Sequence, residues 1–235
     1  MRGTWSALLD LVLPADCPGC AEPGATRALC GPCAAALASA TPRRVRPEPE
    51  PPGLPRCVAL AAYAGTLRGA LLAYKEKGRH GLAGPLGERL ADVVAAAAGP
   101  PGRLVLVPVP ATAAAARGRY GDHMRRLAGR AAAALRRRGW PTTVAHPVRA
   151  LPRPDSAGLS SADRLRVAAG AFALSPRGLP VLRAAVAAGA RPVLVDDVVT
   201  TGATLAAVAG VLRAAGVDPQ VAAVLAATRR RASWV

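Results

Sequence analysis

Two groups of residues in this sequence have types and spacings suited to chemistry. The first lies in Val193–Leu205, which reads VLVDDVVTTGATL. Its opening run is apolar and rich in β-branched residues, the pattern of a buried parallel strand. Asp196 and Asp197 fall at the carboxyl end of that run. A loop of Thr200, Thr201, Gly202 and Thr204 follows, and the Ala/Val/Leu pattern from Ala203 to Ala215 predicts a helix. Ligands of open α/β sheets bind outside the carboxyl ends of strands. A helix amino end offers unpaired N–H groups and the positive end of a dipole to an anion. Gly202 lets the backbone come close, and three threonine hydroxyls can donate to phosphate oxygens. Twin carboxylates beside such a cradle suit a ribose diol, a hydrated Mg²⁺, or both. Helix capping alone would need one polar residue, whereas acids, hydroxyls and glycine occur here together.

The second group is Cys17-Pro-Gly-Cys20 and Cys30-Gly-Pro-Cys33, with nine residues between the two knuckles. Paired C-x-x-C knuckles point to a tetrahedral Cys₄ site for Zn²⁺. Pro and Gly turn the chain in each knuckle so that both sulfurs aim at one point. A module this short has no core of its own, so metal binding would supply its folding energy. Two disulfides are the alternative, and they fit poorly with the lack of a secretory leader. A redox C-x-x-C is weaker, since neither knuckle sits at a strand–helix junction. Cys57 stands apart and reads as a small buried residue.

The elements that must position these groups follow from patterning. Residues 1–40 form the cysteine module, preceded by a short helical lead-in from Trp5 to Leu13. Residues 41–56 are dominated by Pro, Arg and Glu and predict a semi-extended linker. The main domain, 57–228, opens on a strand at Cys57–Tyr63, then helices at Thr66–Lys77 and Pro85–Ala98. A strand at Leu104–Pro110 follows. The polar loop Arg117–His123 leads into a helix, Asp122–Arg138, which carries Arg125, Arg126, Arg130, Arg136, Arg137 and Arg138. Strands are expected at Thr142–Val148, Ala171–Leu174 and Val221–Ala227. Helices are expected from Ser160 or Ser161 through Ala168 and at Leu182–Ala188. Residues 229–235 are a basic tail. Strands alternate with helices, so the fold class is α/β, with a mostly parallel sheet flanked by helices.

Composition bounds the partners. The chain carries a formal charge of +17 and is 51% hydrophobic but only 3% aromatic, so the core must be Ala, Val and Leu. The excess of arginine suggests acidic partners such as nucleic acid or nucleotides, although richness in Ala, Arg, Gly and Pro could also reflect coding bias. With few aromatics to stack on bases, any nucleic-acid contact would be to phosphate and steeply salt-dependent. The apolar run Leu8–Leu13 is broken by Asp10 and is too short for a secretory core or a membrane span. The sequence therefore reads as a soluble, cytoplasmic protein without a membrane span.

The stretch Val193–Thr204 resembles the phosphoribosyl pyrophosphate (PRPP) motif of type I phosphoribosyltransferases. Taken whole, the chain resembles the ComF family, in which a zinc-ribbon-like amino terminus is fused to a phosphoribosyltransferase-fold domain associated with competence for DNA uptake. Tyr74-Lys75-x-x-Gly78, Val107-Pro-Val-Pro110, and Gly158-Leu159-Ser160 with Arg164 and Gly170-Ala-Phe172 match smaller family elements. Two segments depart from the pattern. Arg119–His123 keeps only the arginine of the usual R-G-F-N-Q segment, and Ser156 and Val167 stand where Gln and Asn are usual.

The resemblance implies a type I phosphoribosyltransferase-like fold, a structural Zn²⁺ on Cys17, Cys20, Cys30 and Cys33, and Mg²⁺ bound with PRPP. It implies that Asp196 and Asp197 hold the ribose hydroxyls or the Mg²⁺. Val198, Thr200, Thr201, Gly202, Ala203 and Thr204 would bind PRPP, the loop taking its 5′-phosphate. Lys75 and Arg119 are the candidates for pyrophosphate, Arg117–His123 for a lid and His123 for a general acid or base. The reaction class would be transfer of ribose 5-phosphate with pyrophosphate leaving. Positive charge then develops at the anomeric carbon and negative charge on the leaving group. The second reading is non-enzymatic. Here the chain is a PRPP- or nucleotide-binding component of DNA import, whose cysteine module and Arg-rich helix contact single-stranded DNA or a DNA-import helicase. A third, a PRPP-sensing regulator, lacks an identifiable DNA-binding motif.

Overall fold

Every residue of Leu104–Pro108 and of Val221–Ala227 is buried. Strands of Val, Leu and Ala with no exposed position must be covered on both faces. The computed structural model describes residues 16–23, 29–112, 121–152, 170–228 and 232–234. It places these runs inside a seven-stranded sheet. The strands are β1 (Arg43–Pro47), β2 (Arg56–Ala62), β3 (Leu104–Pro108), β4 (Thr142–Val144), β7 (Arg191–Val199), β8 (Val221–Ala227) and β9 (Ala232–Trp234), in the order β4-β3-β7-β8-β2-β1-β9. Neighbours from β4 through β2 pair parallel, whereas β1 is antiparallel to both β2 and β9. A separate antiparallel pair joins β5 (Val148–Ala150) to β6 (Phe172–Leu174). The molecule is thus α/β, with a mostly parallel mixed sheet.

Six α-helices accompany it among the described residues: α1 (Gly31–Ser39), α2 (Gly65–Glu76), α3 (Ala83–Ala98), α4 (His123–Arg137), α5 (Gly178–Ala187) and α6 (Ala203–Ala214). Strand alternation divides the core between the two faces. Val193, Val195, Leu106 and Leu225 pack with Leu71, Leu86, Leu90 and Leu127 from α2, α3 and α4. Leu194, Val105 and Val224 pack with Leu182, Val208 and Leu212 from α5 and α6. No described helix is long and apolar enough to cross a membrane.

Three expectations are corrected. The Pro-rich segment 41–56, expected as a linker, contributes β1, whose Val45 and Pro47 are buried between exposed arginines. The basic tail 229–235 includes β9, which pairs with β1 through Val45↔Trp234 and Pro47↔Ala232. The two outermost strands on this side of the sheet thus come from segments whose composition hid a short alternation. The expected strand Thr142–Val148 is two strands, β4 and β5, which join different sheets. The lead-in Trp5–Leu13, the helix ending near Ala168, and Arg117, Arg119 and Tyr120 lie outside the described residues.

The Arg-rich helix α4 starts as expected, with the Asp122 carboxylate accepting from the Arg125 N–H at 2.9 Å. Its carboxyl-terminal arginines are not a free basic face. Arg137 and Arg138 pair with Glu88, Arg138 also reaches Asp92 at 2.7 Å, and Arg136 donates to the Thr142 carbonyl at 2.8 Å.

Chain order fixes where a ligand can enter. From β3 the chain goes outward to its neighbour β4, and from β7 it goes the other way to β8. The sheet's switch point is therefore the crevice at the carboxyl ends of β3 and β7, the place where open α/β sheets bind ligands.

Candidate functional site

The four cysteines of the amino-terminal segment converge. All four sulfurs lie within 4.8 Å of one another, and Cys20 Sγ is 3.7 Å from Cys30 Sγ. That separation is far beyond a disulfide bond of about 2.05 Å, and all five cysteines are free thiols. It matches the edge of a tetrahedron, about 3.8 Å, whose centre is a Zn²⁺ at about 2.3 Å from each sulfur. The backbone N–H groups of Gly19 and Cys30 donate to Cys17 Sγ at 3.4 and 3.3 Å. Burial pushes the Cys17 thiol up, but the N–H donors of Cys30, Cys20 and Gly19 outweigh it and bring the pKa to about 6. The Thr66 hydroxyl favours the Cys33 thiolate, yet burial and the neighbouring sulfurs push that thiol up to about 12. Sulfurs this close cannot all be anionic without a cation between them. The cluster could hold a metal ion such as zinc.

On β7 the two acids part company. The strand runs through Val199, so Asp196 and Asp197 lie within it, and adjacent strand residues face opposite sides. Asp197 turns toward α2 and α4. Its Oδ2 accepts from Lys75 Nζ at 2.7 Å and lies 3.2 Å from His123 Nε2. The residue is only 6% exposed. Tyr74 on α2 fixes the start of α4 by donating its hydroxyl to the His123 carbonyl at 2.8 Å. Burial raises the Asp197 carboxyl, but the His123 contact and the Lys75 charge overcome this and hold it well below the usual carboxylate range.

Asp196 turns toward the loop. Its Oδ1 accepts from the Asp197 N–H at 2.9 Å. Burial first, then the Asp197 charge, push its pKa well above the ordinary value. It lines a small, open cavity of about 30 Å³ with Val198, Thr200, Thr201, Gly202 and Thr204. Gly202 precedes α6 with φ +75°, and no side chain caps the helix from that position. The Thr201 hydroxyl accepts from the Ala203 N–H at 3.4 Å, and both residues line the cavity at the amino end of α6.

Gly202 is required twice over. An added Cβ would sit 3.0 Å from Leu54 Cδ2 and 3.2 Å from Pro51 Cγ, and a left-handed φ is strained for any other residue here. Gly202→Ala is therefore expected to lower stability by about 1–2 kcal/mol, measured as a lowered urea midpoint with an unchanged slope.

Most of the residues singled out in the sequence come together. Asp196, Val198, Thr200, Thr201, Gly202, Ala203 and Thr204 share one cavity, and the four cysteines form one cluster. Lys75 and Asp197 meet each other on the opposite face, with His123, which is buried against the carboxylate rather than solvated. Arg119 lies outside the described residues. Tyr74, Thr66, Pro51 and Leu54 carry supporting roles that local patterning did not announce. One compositional signal marks Lys75: of the 31 basic residues counted as lysine or arginine, only Lys75 and Lys77 are lysine. A scan of the chain against protein-family models finds no match, and a search of the curated proteins likewise finds none.

Proposed function

We propose that the cavity at the carboxyl end of β7 binds PRPP or a related nucleotide with Mg²⁺, and that the chain is a ComF-like protein of the type I phosphoribosyltransferase fold. The observation that carries this reading is the joint presence, in one open cavity at the sheet's switch point, of a carboxylate, three threonines, a left-handed glycine and a helix amino end. Each part suits one portion of a sugar phosphate. The N–H groups and hydroxyls of Thr200–Thr204 bind the 5′-phosphate. Asp196 accepts from ribose hydroxyls or holds the metal. Mg²⁺, when bound, neutralises charge on a departing pyrophosphate. Lys75, partly exposed, adds positive charge nearby while it holds Asp197 in place. Zn²⁺ on the four cysteines is structural, and the reaction supported is transfer of ribose 5-phosphate.

Equilibrium dialysis with PRPP tests this. Saturable binding that needs Mg²⁺ is expected, and Thr201→Val should weaken it by about 10- to 150-fold, the loss of a hydrogen bond to a charged group. Binding that is absent, or indifferent to Thr201, counts against the site. Pyrophosphate release that depends on an added base would establish transfer. A link to DNA uptake calls for single-stranded DNA binding across a salt series. On helix α4 the arginines for that contact are the exposed Arg125 and Arg130, because Arg136, Arg137 and Arg138 are already paired within the fold.

A further inference from the structure

Helix α2 touches both of the chemical centres. At its amino end the Thr66 hydroxyl donates to Cys33 Sγ at 3.5 Å. One turn on, Gly69 lies against the first cysteine knuckle. A Cβ at this position would sit 2.6 Å from the Pro18 carbonyl oxygen and 2.7 Å from that of Gly19. No side chain can occupy that space without moving backbone. Just past the helix, Arg79 Nη1 donates to the Asp16 carbonyl at 2.6 Å, a third tie to the same segment. At the carboxyl end of α2, Tyr74 holds the start of α4 and Lys75 reaches Asp197. Six residues of helix, about 9 Å, separate Gly69 from Lys75.

We infer that Thr66 and Gly69 are positioning residues: a metal held by the four cysteines fixes the seat of α2, and α2 in turn fixes Lys75 on Asp197. The physical chain is short. Among the described residues of the cysteine segment, only Cys17, Pro18, Cys33 and Leu37 are buried, so the knuckles depend on the metal for their shape. Without that shape the Gly69, Thr66 and Arg79 contacts lose their partners. Lysine is a compact charge on a flexible stem, so its contact with Asp197 depends on where the helix puts the stem. In a chain that otherwise uses arginine, a lysine here suits a point contact with one carboxylate oxygen. The inference rests on the cysteines holding a metal and not on the identity of the sugar phosphate.

With only two lysines in the sequence, ¹⁵N-lysine labelling gives at most two side-chain ammonium signals, assigned by Lys77→Arg. Lys77 is exposed and serves as the internal control. In the zinc-loaded protein the Lys75 ammonium should exchange slowly with solvent. Gly69→Val keeps all four cysteines, and with one zinc per chain still bound it should speed Lys75 exchange by about 5- to 150-fold, the usual span for coupled sites. Lys77 should not change. Chelation of zinc from the wild type should act in the same direction. General loosening of the fold would speed the backbone amide of Val224, at the centre of the sheet, along with Lys75; the inference requires Lys75 to change alone in the Gly69 variant. Thr66→Val carries the same comparison should Gly69→Val not fold, and Thr66→Ser, which keeps the hydroxyl, should restore slow exchange. Unchanged Lys75 exchange in these variants with zinc bound overturns the coupling. A wild type that binds no zinc overturns the premise, and the zinc assay on each sample tells the two failures apart.

Discussion

Asp196→Asn is expected to raise the melting temperature of the ligand-free protein while weakening PRPP binding in Mg²⁺ by about 10- to 150-fold, the range for losing a contact between charged groups. Asp197→Asn is expected to lower the melting temperature. The opposite signs follow from the two sides of β7. Asp196 is raised above its ordinary pKa by burial and by the neighbouring Asp197 charge. A carboxyl whose folded pKa lies above its unfolded value of about 3.9 costs stability as pH rises through that folded value, and costs nothing below the unfolded one. Removing its charge should therefore gain about 1 kcal/mol at neutral pH, roughly 2–4 °C for a chain of this size, and the gain should vanish below about pH 4. Asp197 is the reverse case. The His123 contact and the Lys75 charge hold its pKa down against burial, so it contributes stability above the unfolded value that is lost only as pH falls toward the folded one. Its amide variant leaves Lys75 and His123 without their carboxylate. Breaking a buried pair costs about 3–5 kcal/mol, and Lys75, 27% exposed, brings the expectation to about 2–3 kcal/mol. Thermal melts of both variants at pH 4 and pH 7.5 check the signs. A melting temperature that falls in Asp196→Asn at neutral pH would mean that this carboxylate supports the fold rather than facing a ligand.

The parts of this arrangement that were legible in the sequence are the local ones. Val193–Val195, the acids, the Thr-Gly loop and the following helix form one continuous stretch, and a strand–loop–helix unit writes its pattern in consecutive residues. The two knuckles are equally local. What escaped depends on distance along the chain. Lys75 meets Asp197 across 122 positions, and no periodicity reports that. Strand β1 carries only Val45 and Pro47 as buried side chains among arginines, and its outer partner lies 187 positions away, where Ser233 Oγ reaches the Arg46 carbonyl. Composition alone read both segments as unpaired. The arginines of α4 escaped for a related reason. Charge on a helix is read as solvated until an acidic neighbour is known, and here Glu88 and Asp92, one turn apart on α3, receive Arg137 and Arg138. The division of the acids between two faces was available from the period of a strand. A strand that stops at the acids hides it; the ladder continues to Val199.

The cysteines give the second large expected effect, a stepwise thiol titration. In the zinc-loaded protein none of the five cysteines should react promptly with an aromatic disulfide reagent, although Cys20 is exposed, because a metal-bound thiolate is held by its ligand bond. After chelation at pH 7.5, four thiols should react within minutes and the fifth only in denaturant. The fifth is Cys57. It is 2% exposed, its Sγ donates to the Pro55 carbonyl at 3.3 Å, and burial, then the Glu50 charge, push its thiol up to about 12. It is therefore neither reachable nor ionised. The other four lose their main source of cohesion when the metal leaves, since structural zinc contributes an apparent 10–16 kcal/mol in small modules, far more than their few buried side chains could supply. Leu37, which α1 contributes to the main core, should then be released, and helicity should fall by about the length of α1. Cys30→Ser should reproduce the chelated pattern, with three prompt thiols in place of four. A disulfide-bonded segment would behave otherwise: chelation would free no thiols and only a reductant would, an outcome incompatible with sulfurs 3.7 Å apart. Acidification should act like chelation, because protons compete with zinc for every sulfur.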